Sequence, residues 1–469
     1  MNRKSSPPTD DLCVVFADHI VGTRFEDLPP SAVEGAKQSI LDMLGVILAA
    51  GGMEPAVRAV IEFAKEGGGV PESSVLGFGG RLPAVMAAFA NGAMAHCLDY
   101  DDQTPWGQHA GSSLLPAVFA LAEKVAPREG GVSGRDLITA VAVGQDIFNR
   151  LLPNVGWKKD WNFSTAMGVY SATAGAAHLL KLDRDQVANA FGIASMQSCG
   201  TMAVVNATGS DLRALYAGFP ARGAVTAALL AQKGVPGVPT IFEGKFGIFD
   251  MYFGNQCDRD GIVRGLGIDY TGGRTLYKQW PAVGTSHSHI HAVIGLMNEH
   301  DIECSEIDQI RTFVGDYHQL MCEPLDKRRA PAALVEAKFS LPYLVAVAAV
   351  QRTMRLMDFT AEALTDPRVL EVARKVVPVN DSSLDWKGEL PPGRIEIVMK
   401  DGRRFERVGR NVPGSAEAPM SWDDLVRKFL DCASLAPVTR STDELRAVCE
   451  TVRTLESVGD ATGLLRALS

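Results

Sequence analysis

The sequence is short of aromatic residues, which make up only 7% of its 469 residues, and it is rich in Ala and Gly. It also has no block of basic residues, and its 46 Lys and Arg against 55 Asp and Glu give a net charge of -9. Nucleic-acid binding needs clustered Lys and Arg to neutralise phosphates, so we expect no nucleic-acid partner. A net-negative protein that binds an anionic substrate must gather its cations locally, in one cleft.

The eight cysteines are scattered, and no two have the C-x-x-C spacing of zinc knuckles and thioredoxin-like motifs. Isolated cysteines are typical of a reducing compartment. The start of the chain is polar and contains Pro7 and Pro8, without the apolar segment of a signal peptide. The most apolar stretches, such as 341–350, are too short for a transmembrane helix, which needs about 18 residues or more. We therefore expect a cytoplasmic protein with no membrane partner.

The first half of the chain predicts one helix after another. Residues 31–34 (SAVE) have the form of a capping box, in which a serine and a glutamate satisfy each other's free backbone amides. Residues 133–136 and 183–186 predict two further helix starts of this kind. The stretch 165–180 is rich in small residues, which predicts buried helices whose backbones approach closely.

The character of the sequence changes near residue 270. Residues 309–315 alternate as a strand does, and 394–408 contain two alternating runs around an Asp-Gly pair, a strong hairpin-turn signal. Helical patterns lie between them, so residues 278–410 predict a smaller α+β unit. After it the sequence turns helical again, with a capping box at 421–424.

The densest polar cluster is His96-Cys-Leu-Asp99-Tyr-Asp101-Asp102, followed by His109. Its three carboxylates repel one another unless a metal, a cationic partner, helix amides or water compensates them. One interpretation is a solvated helix end with an Asp that caps the next turn. Another is a carboxylate with a raised pKa beside a histidine, suited to acid–base chemistry. A metal site is a further alternative, although the spacing matches no specific metal motif.

Lys278 begins a second cluster, which ends in His287-Ser-His-Ile-His291. It lies at the expected junction of the two units, where ligand clefts tend to form. His287 and His291 have the spacing of zinc ligands on a helix, but the HExxH motif is absent and no third ligand is evident. Arg213 is either an ion-pair residue or a bidentate clamp for a carboxylate. Lys338 either lines a cleft or helps to cap a helix.

Taken together, these segments resemble the MmgE/PrpD family, which includes 2-methylcitrate dehydratase, cis-aconitate decarboxylase and iminodisuccinate epimerase. The resemblance covers nearly the whole chain and rests on landmarks in a fixed order. They are NGxxAHxxDYDD at 91–102 with His109 after it, YKxxP at 277–281 with His287, AKFSxxY at 337–343 and PMSW at 419–422.

The resemblance implies a mainly α fold with a large all-helical domain and a smaller lid. The large domain comprises residues 1–277 and 411–469, from both ends of the chain. The lid is an inserted α+β domain formed by residues 278–410, with the active site in the cleft between the two. The resemblance also implies a homodimer that needs no cofactor and no metal.

The resemblance assigns roles to particular residues. The implied catalytic residues are Asp99, His109, Lys278 and His287. The implied substrate-binding residues are Arg213, Asp102, Gln103, Asn162 and Lys338.

The chain departs from the family pattern at several functional positions. They are Gln103 for a Thr, Asn162 for a His, Arg213 for a Lys, Val283 for a second His and Leu320 for a Tyr, with Tyr317 close by. An arginine keeps the charge of a lysine but does not readily give up its proton. The missing His and Tyr argue against cis-aconitate decarboxylation, whereas the retained Asp, His and Lys permit proton abstraction next to a carboxylate.

We therefore expect a cofactor-independent lyase that resembles 2-methylcitrate dehydratase and acts on a small di- or tricarboxylic acid. The substrate carboxylates would bind Arg213 and Lys278, His109 or Asp99 would move a proton next to a carboxylate, and β-elimination would release water. An epimerase of a dicarboxylate and a cis-aconitate-type decarboxylase are the enzyme alternatives. Metal-dependent hydrolysis and a catalytically degenerate binding protein are the others.

Overall fold

The structure is a computed structural model that describes residues 11–206, 210–387 and 390–469. Helices make up 59% and strands 8% of the structure, so the mainly α fold class is confirmed. The polar start of the chain, from which we predicted the lack of a signal peptide, lies outside the described residues up to position 10.

The first part of the chain is helical apart from one short antiparallel strand pair. Its helices are α1 (Leu12–Gly22), α2 (Pro30–Met53), α3 (Pro55–Glu66), α4 (Ala84–His96), α5 (Gly111–Glu129), α6 (Gly134–Leu151), α7 (Phe163–Ala166), α8 (Gly168–Leu179), α9 (Arg184–Ala194), α10 (Ala203–Asn206), α11 (Leu212–Leu215), α12 (Gly218–Gln232), α13 (Ile248–Phe253) and α14 (Arg259–Val263). The strands are β1 (Ser73–Ser74) and β2 (Arg81–Leu82).

The second part adds a four-stranded sheet and then returns to helices. Its helices are α15 (His287–Glu299), α16 (Asp316–Gln319), α17 (Leu325–Arg329), α18 (Leu334–Lys338), α19 (Leu341–Gln351), α20 (Pro367–Lys375), α21 (Trp422–Ala433), α22 (Thr442–Arg453) and α23 (Thr462–Ala467). Its strands are β3 (Ile307–Val314), β4 (Val376–Asn380), β5 (Arg394–Met399) and β6 (Arg404–Val408).

The sheet has the strand order β4-β3-β5-β6. β3 runs parallel to β4 and antiparallel to β5, and β5 and β6 form a hairpin. The hairpin turns at Gly402, whose φ of 89° favours glycine. The predicted strand at 309–315 and the predicted hairpin at 394–408 are confirmed. Helices α15, α19 and α20 contact the sheet and cover its apolar side chains.

Most predicted helix starts are confirmed, and one is wrong. Ser133 accepts a hydrogen bond from the Asp136 amide, and the segments 183–186 and 421–424 form complete capping boxes. The box predicted at 31–34 does not form, because α2 already begins at Pro30. A proline at the first helical position has no amide that needs a partner, so the helix starts there without a side-chain cap.

The apolar core falls into two clusters of buried side chains. The larger one draws mainly on helices before residue 264 and on α21–α23, so both chain ends contribute to it. The smaller one comes from residues 280–399. The arrangement of a large domain with an inserted lid, with its boundaries at 277/278 and 410/411, stays a prediction.

Small residues let α5, α6 and α8 pack closely, as the composition of 165–180 predicts. A Cβ atom on Gly175 would lie 2.6 Å from Leu114 Cδ1, and one on Gly144 would lie 2.4 Å from the same atom. Both positions therefore need glycine where these helices cross.

The segment Leu212–Gln232, which comprises α11 and α12, is long and apolar enough to cross a membrane by length and composition. In this structure 67% of its most apolar window is buried. Helix α12 contacts α4, α5, α8 and α9, so its apolar faces lie inside the larger core.

Arg150 on α6 provides a test of how this core tolerates charge. Its guanidinium donates to the buried Asp146 carboxylate at 2.8 Å and to the carbonyls of Ile262 and Arg264 at 3.1 and 2.7 Å. Arg150→Met would leave a buried carboxylate without this cation, so we expect it to lower the free energy of unfolding by about 3–5 kcal/mol. Urea unfolding followed by tryptophan fluorescence measures the loss.

The matched control is Arg352→Met, whose carboxylate partner Asp301 is 86% exposed. Exposed ion pairs contribute little, so its unfolding curve should overlay that of the wild type. An unchanged curve for Arg150→Met would contradict the importance of the buried pair.

Candidate active site

The Asp-rich segment that follows α4 is held against the segment that carries Lys278. The backbone of Gln103 exchanges hydrogen bonds with that of Leu276, at 2.9 Å for the Gln103 amide and 2.8 Å for the Leu276 amide. Asp99 has a φ of 50°, in the left-handed region that Asp adopts more readily than most residues. This sharp turn and the backbone bridge bring residues distant in the sequence into contact.

A cavity at this junction has a polar end, which we name the head. The head is lined by His96, Asp99, His109, Asn162, Arg213 and Tyr216, together with further polar and apolar side chains. Four of the nine residues predicted for the site are in this group, and the side chain of a fifth, Gln103, lines the same cavity. The structure therefore brings together Asp99, Gln103, His109, Asn162 and Arg213 from four separate parts of the sequence.

Asp101 lies between two histidines of the head. Its carboxylate oxygens are each 3.1 Å from Nδ1 of His96, and one of them is 2.9 Å from Nδ1 of His109. Nδ1 of His109 also lies 2.8 Å from the Asp102 carbonyl oxygen. The two imidazoles meet edge to face, with ring centroids 4.6 Å apart. With both Nδ1 atoms engaged, Nε2 is the atom of each ring left to exchange a proton with a ligand.

The surroundings of the two histidines push their pKa values apart. Burial lowers the pKa of His96, and the attraction of Asp101 does not overcome it. Burial also tends to lower the pKa of His109, but there the attraction of Asp101 outweighs burial, and the pKa is raised. The pKa of Asp101 itself is held well below its ordinary range, since His109 and His96 outweigh its burial. The two imidazoles that share this carboxylate thus have pKa values shifted in opposite directions, which is a pattern of acid–base pairs.

Asp99 and Lys278 form a buried ion pair at the edge of the head. The Lys278 ammonium donates to the Asp99 carboxylate and, at 2.8 Å, to the Asp99 carbonyl. Burial alone would raise the pKa of Asp99, but Lys278 and the histidines lower it to about 2. Asp99 is therefore an anion with little tendency to take up a proton.

Lys278 and His287 line a second cavity that adjoins the head. Gln103 and Gly284 belong to the walls of both cavities. A Cβ atom on Gly284 would lie 2.0 Å from Gln103 Oε1, so a larger residue here would require the Gln103 side chain to move. Burial, together with the charge of Lys278, lowers the pKa of His287 to about 3, which makes it a neutral imidazole. His109 and His287, which the sequence analysis places in one site, thus line two adjoining cavities rather than a single one.

Arg213 supplies a cation inside the head. Its guanidinium carbon lies 3.1 Å from the ring centroid of Phe339, and Nη1 donates to the Val205 carbonyl. Burial lowers the pKa of Arg213 to about 10, which leaves it charged at neutral pH. Among the described atoms, Arg213 Nε and Asn162 Nδ2 are buried donors without a hydrogen-bond partner. Unpartnered buried donors are costly, and a ligand with carboxylate oxygens would satisfy them.

Two predicted substrate-binding residues lie behind the cavity wall. The Lys338 ammonium donates to the Cys97 carbonyl at 3.3 Å and lies 4.0 Å from a carboxylate oxygen of Glu54. Asp102 is buried, and its nearest hydroxyl donor is Ser39 Oγ at 3.5 Å. Neither side chain lines the head, so their geometry favours holding the end of α4 rather than contacting a substrate.

Three residues that line the cavity, and Asp101 beside them, had no role assigned from the sequence. His96 and Asp101 belong to the Asp-rich cluster, and their positions five residues apart gave no sign that Asp101 would join two imidazoles. Tyr216 lies three residues after Arg213 in the sequence, and its ring lies 4.4 Å from that of His96. Tyr317, close to the position where Leu320 replaces a tyrosine, lines the cavity as well.

One group of side chains in the described ranges has the arrangement of metal ligands. One ligand atom each of His96, Asp101 and His109 lie within 4.8 Å of one another. Their present separations of 2.9 and 3.1 Å are those of hydrogen bonds. His287 and His291 find no third ligand in the described part of the chain, in line with the missing zinc motif.

Asp102 gives a testable dependence of stability on pH. Burial and the charges of Asp101 and Asp42 raise its pKa to about 7. In the unfolded chain its pKa is about 3.9, so between about pH 4 and pH 7 the folded protein keeps a proton that the unfolded chain has lost. Stability therefore falls as the pH rises through this range. We expect Asp102→Asn to unfold at a higher temperature than the wild type when the pH is above 7. This difference should disappear as the pH falls toward 4.

Thermal midpoints of the wild type and the variant across the pH series provide the measurement. Asp308→Asn, at an exposed position on β3, is the control and should differ from the wild type by the same small amount at every pH. A constant difference for Asp102→Asn would contradict the raised pKa.

Comparison with known proteins agrees with the resemblance drawn from the sequence. Residues 14–259 match the MmgE/PrpD N-terminal domain and residues 280–452 match the MmgE/PrpD C-terminal domain. The chain is similar to cis-aconitate decarboxylase of Aspergillus terreus, with 28% identity over 95% of this chain and 93% of that protein. It is 26% identical to cis-aconitate decarboxylase of Mus musculus, over 96% of this chain and 92% of the mouse protein.

A dehydratase is also among the relatives. The mitochondrial 2-methylcitrate dehydratase of Yarrowia lipolytica is 23% identical over 88% of this chain and 81% of that protein. Relatives of both activities thus match nearly the whole length of the chain, and the two domain models together cover most of it. The chain therefore belongs to the MmgE/PrpD family.

Proposed function

We propose that this protein is a cofactor-independent lyase that dehydrates a small di- or tricarboxylic acid, in the manner of a 2-methylcitrate dehydratase. The observation that carries the proposal is the His96-Asp101-His109 arrangement in a cavity that also contains Arg213. It combines a proton acceptor, a proton donor and a cation for a carboxylate in one buried space. Elimination of water from a hydroxy acid needs these three functions together.

The first step of the proposed reaction is binding of a carboxylate by Arg213. Nε of Arg213 and Nδ2 of Asn162 are the unpartnered donors of the head. A carboxylate placed between them gains charge-assisted hydrogen bonds and relieves two buried donors. The stack of Arg213 on Phe339 holds the guanidinium in place before the substrate arrives.

The proton steps belong to the two histidines. His96, whose pKa is lowered, is the base that removes the proton next to the substrate carboxylate. His109, whose pKa is raised, donates a proton to the departing hydroxide. Asp101 orients both rings through their Nδ1 atoms. Asp99 is a weak base because its pKa is about 2, so its proposed part is to hold Lys278 and to shape the edge of the head.

Charge stabilisation is the other requirement of the reaction. Negative charge develops on the substrate as the proton leaves, and Arg213 and protonated His109 are the positive groups in the same cavity. Such preorganised charges in a buried site commonly contribute the largest share of a rate enhancement. The base, the acid and the two cations need no further group, which supports a reaction without a cofactor.

Cis-aconitate decarboxylation is the second candidate, because three curated cis-aconitate decarboxylases match this chain at 28% or 26% identity. Asn162 argues against this activity, because its amide donates a hydrogen bond but does not transfer a proton. An epimerase is the third, since the same base could return the proton to the opposite face. The homodimer, the cytoplasmic location and the lack of a nucleic-acid or membrane partner stay predictions.

The first activity test replaces His109 by Gln and Lys278 by Ala. A missing general acid commonly costs about 100- to 10,000-fold in rate, so we expect losses of kcat/KM in this range for His109→Gln. Lys278→Ala should also lower kcat/KM, because it leaves the Asp99 charge without its partner. The assay follows alkene formation from a panel that includes 2-methylcitrate and other hydroxy acids, and carbon dioxide release from cis-aconitate.

The matched control is His300→Gln, since His300 stacks on Phe405 away from the cavity. It should retain wild-type kcat/KM. Wild-type turnover in both site variants would refute the proposed function, and carbon dioxide release without alkene formation from hydroxy acids would favour the decarboxylase. Solvent deuterium incorporation without alkene formation would favour the epimerase.

The second activity test is the pH profile of kcat/KM. The rate should rise with pH as His96 loses its proton, below the ordinary histidine pKa of about 6.5. It should fall again above that value, as His109 loses the proton that it donates. We expect His96→Gln to remove the rise and His109→Gln to remove the fall from the residual activity. A residual His109→Gln profile that keeps the high-pH fall would assign the acid to another group.

A further inference from the structure

A second chamber adjoins the head. Arg213, Val283 and Tyr317 line both of them. We name this second chamber the apolar arm and define it by the residues that line only this part. They are Leu320, Met321, Val335 and Phe339, with Arg328 and Glu336 at the same walls.

The polar groups of the apolar arm are engaged by the protein. Arg328 donates to the carbonyls of Glu323 and Phe339, each at 3.1 Å, and to that of Leu320 at 2.8 Å. The Thr285 hydroxyl lies 3.4 Å from the Met321 sulfur, and Glu336 accepts from a backbone amide at 3.2 Å. These contacts stiffen the walls, and the larger part of the remaining surface that a ligand would contact is aliphatic and aromatic carbon.

Arg213 marks the border between the head and the apolar arm. One face of its guanidinium covers the Phe339 ring, and its Nη1 atom is occupied by the Val205 carbonyl. Nε is buried without a partner, and the printed contact of the guanidinium engages Nη1, so Nε and Nη2 are the nitrogens that remain for a carboxylate. A carboxylate placed among the apolar side chains of the arm, such as Leu320 and Val335, would lose its hydration and gain no hydrogen bond from them, which is costly. An alkyl group in the same place would gain from leaving water.

Two departures from the family pattern lie along this path. The resemblance drawn from the sequence implies a histidine at the position of Val283 and a tyrosine at the position of Leu320 in the family pattern. Val283 lines the border and Leu320 lines the apolar arm, so both substitutions replace a polar side chain by an aliphatic one at the same chamber. The change makes this chain's cavity more apolar than the pattern at the two positions that a substituent would pass.

We propose that the substrate is a di- or tricarboxylate that carries an unbranched alkyl chain longer than a methyl group, with the acid in the head and the chain in the apolar arm. This inference rests on the proposed function for the chemistry of the acid end. Leu320, Val335 and Phe339 are then the residues that select the substituent, and Arg213 fixes where the acid ends and the chain begins.

The test is the affinity of a series of 2-alkylsuccinates, from methyl to pentyl, for the purified protein by isothermal titration calorimetry. Each methylene that leaves water for an apolar site is worth up to about a fourfold gain in affinity. We therefore expect Kd to fall by up to about fourfold per added carbon until the apolar arm is full. A Kd that does not change with chain length overturns the inference.

Two variants show whether the apolar arm is the site of this gain. Leu320→Asn, at a residue 46% exposed, and the nearly isosteric Val335→Thr should each lower the pentyl-to-methyl affinity ratio by roughly threefold or more. Leu230→Asn is the matched control, because Leu230 is 36% exposed on α12 and lies outside the apolar arm. Equal ratios in all three variants and the wild type would overturn the assignment of the chain to the apolar arm.

Turnover separates this inference from the proposed function. Water loss from 2-alkylcitrates should show a kcat/KM that rises with chain length over 2-methylcitrate. If affinity rises with chain length but no acid in the panel is dehydrated, the proposed function fails and the apolar arm stands. If 2-methylcitrate is dehydrated but longer chains bind and react no better, the proposed function stands and the apolar arm fails.

Discussion

The site depends on the pairing of charges that have been removed from water. Three aspartates within four residues lie buried at the end of α4, where an isolated charge would cost several kcal/mol. Asp99 is paired with Lys278, and Asp101 is shared by two histidines. Asp102 has no such partner and keeps its proton instead, with a pKa of about 7. These three solutions to the same cost shape the region around the head, with Asp99 and Asp101 as paired anions and Asp102 behind the cavity wall with a raised pKa.

The same pairing explains why the pKa values of two histidines with a common carboxylate are shifted in opposite directions. His96 and His109 both contact Asp101 through Nδ1, and both are buried. Burial prevails at His96, whereas the carboxylate prevails at His109, whose Nδ1 also faces the Asp102 carbonyl. Since a carboxylate between two rings supports one positive charge better than two, the pair titrates as a unit. In the proposed reaction, this unit supplies both the base and the acid.

Local features of the fold were open to prediction from the sequence, because their causes are local. The caps at Ser133, Asp183 and Ser421 and the turn at Gly402 depend on a few neighbouring residues. The wrong start of α2 has a local cause too, since Pro30 competes with the capping box that follows it. In that case two local signals overlapped, and the sequence pattern alone did not rank them.

The candidate site was predictable in its residue types but not in its pairings. The Asp-rich cluster was visible as such, but Lys278 meets Asp99 across 179 positions of the sequence. Lys338 looked equally suited to a cleft, and only the tertiary contacts turn it toward Cys97 and Glu54. A lysine beside an apolar helix start has the same pattern in both cases. The two roles of such a lysine differ in which distant backbone carbonyl lies near its ammonium group. The local sequence does not show this.

The composition of the head bears on which reaction of the family fits this chain. Decarboxylation breaks a carbon–carbon bond and then needs a proton delivered to carbon, whereas dehydration removes a proton from carbon and delivers one to oxygen. The resemblance implies a histidine and a lysine at the positions of Asn162 and Arg213, and neither an amide nor a guanidinium readily donates a proton. Of the titratable groups that line the head, His96 and His109 have pKa values shifted in opposite directions, which suits one to accept a proton and the other to donate one. A single acceptor with a single donor meets the needs of elimination, and this balance favours a dehydratase.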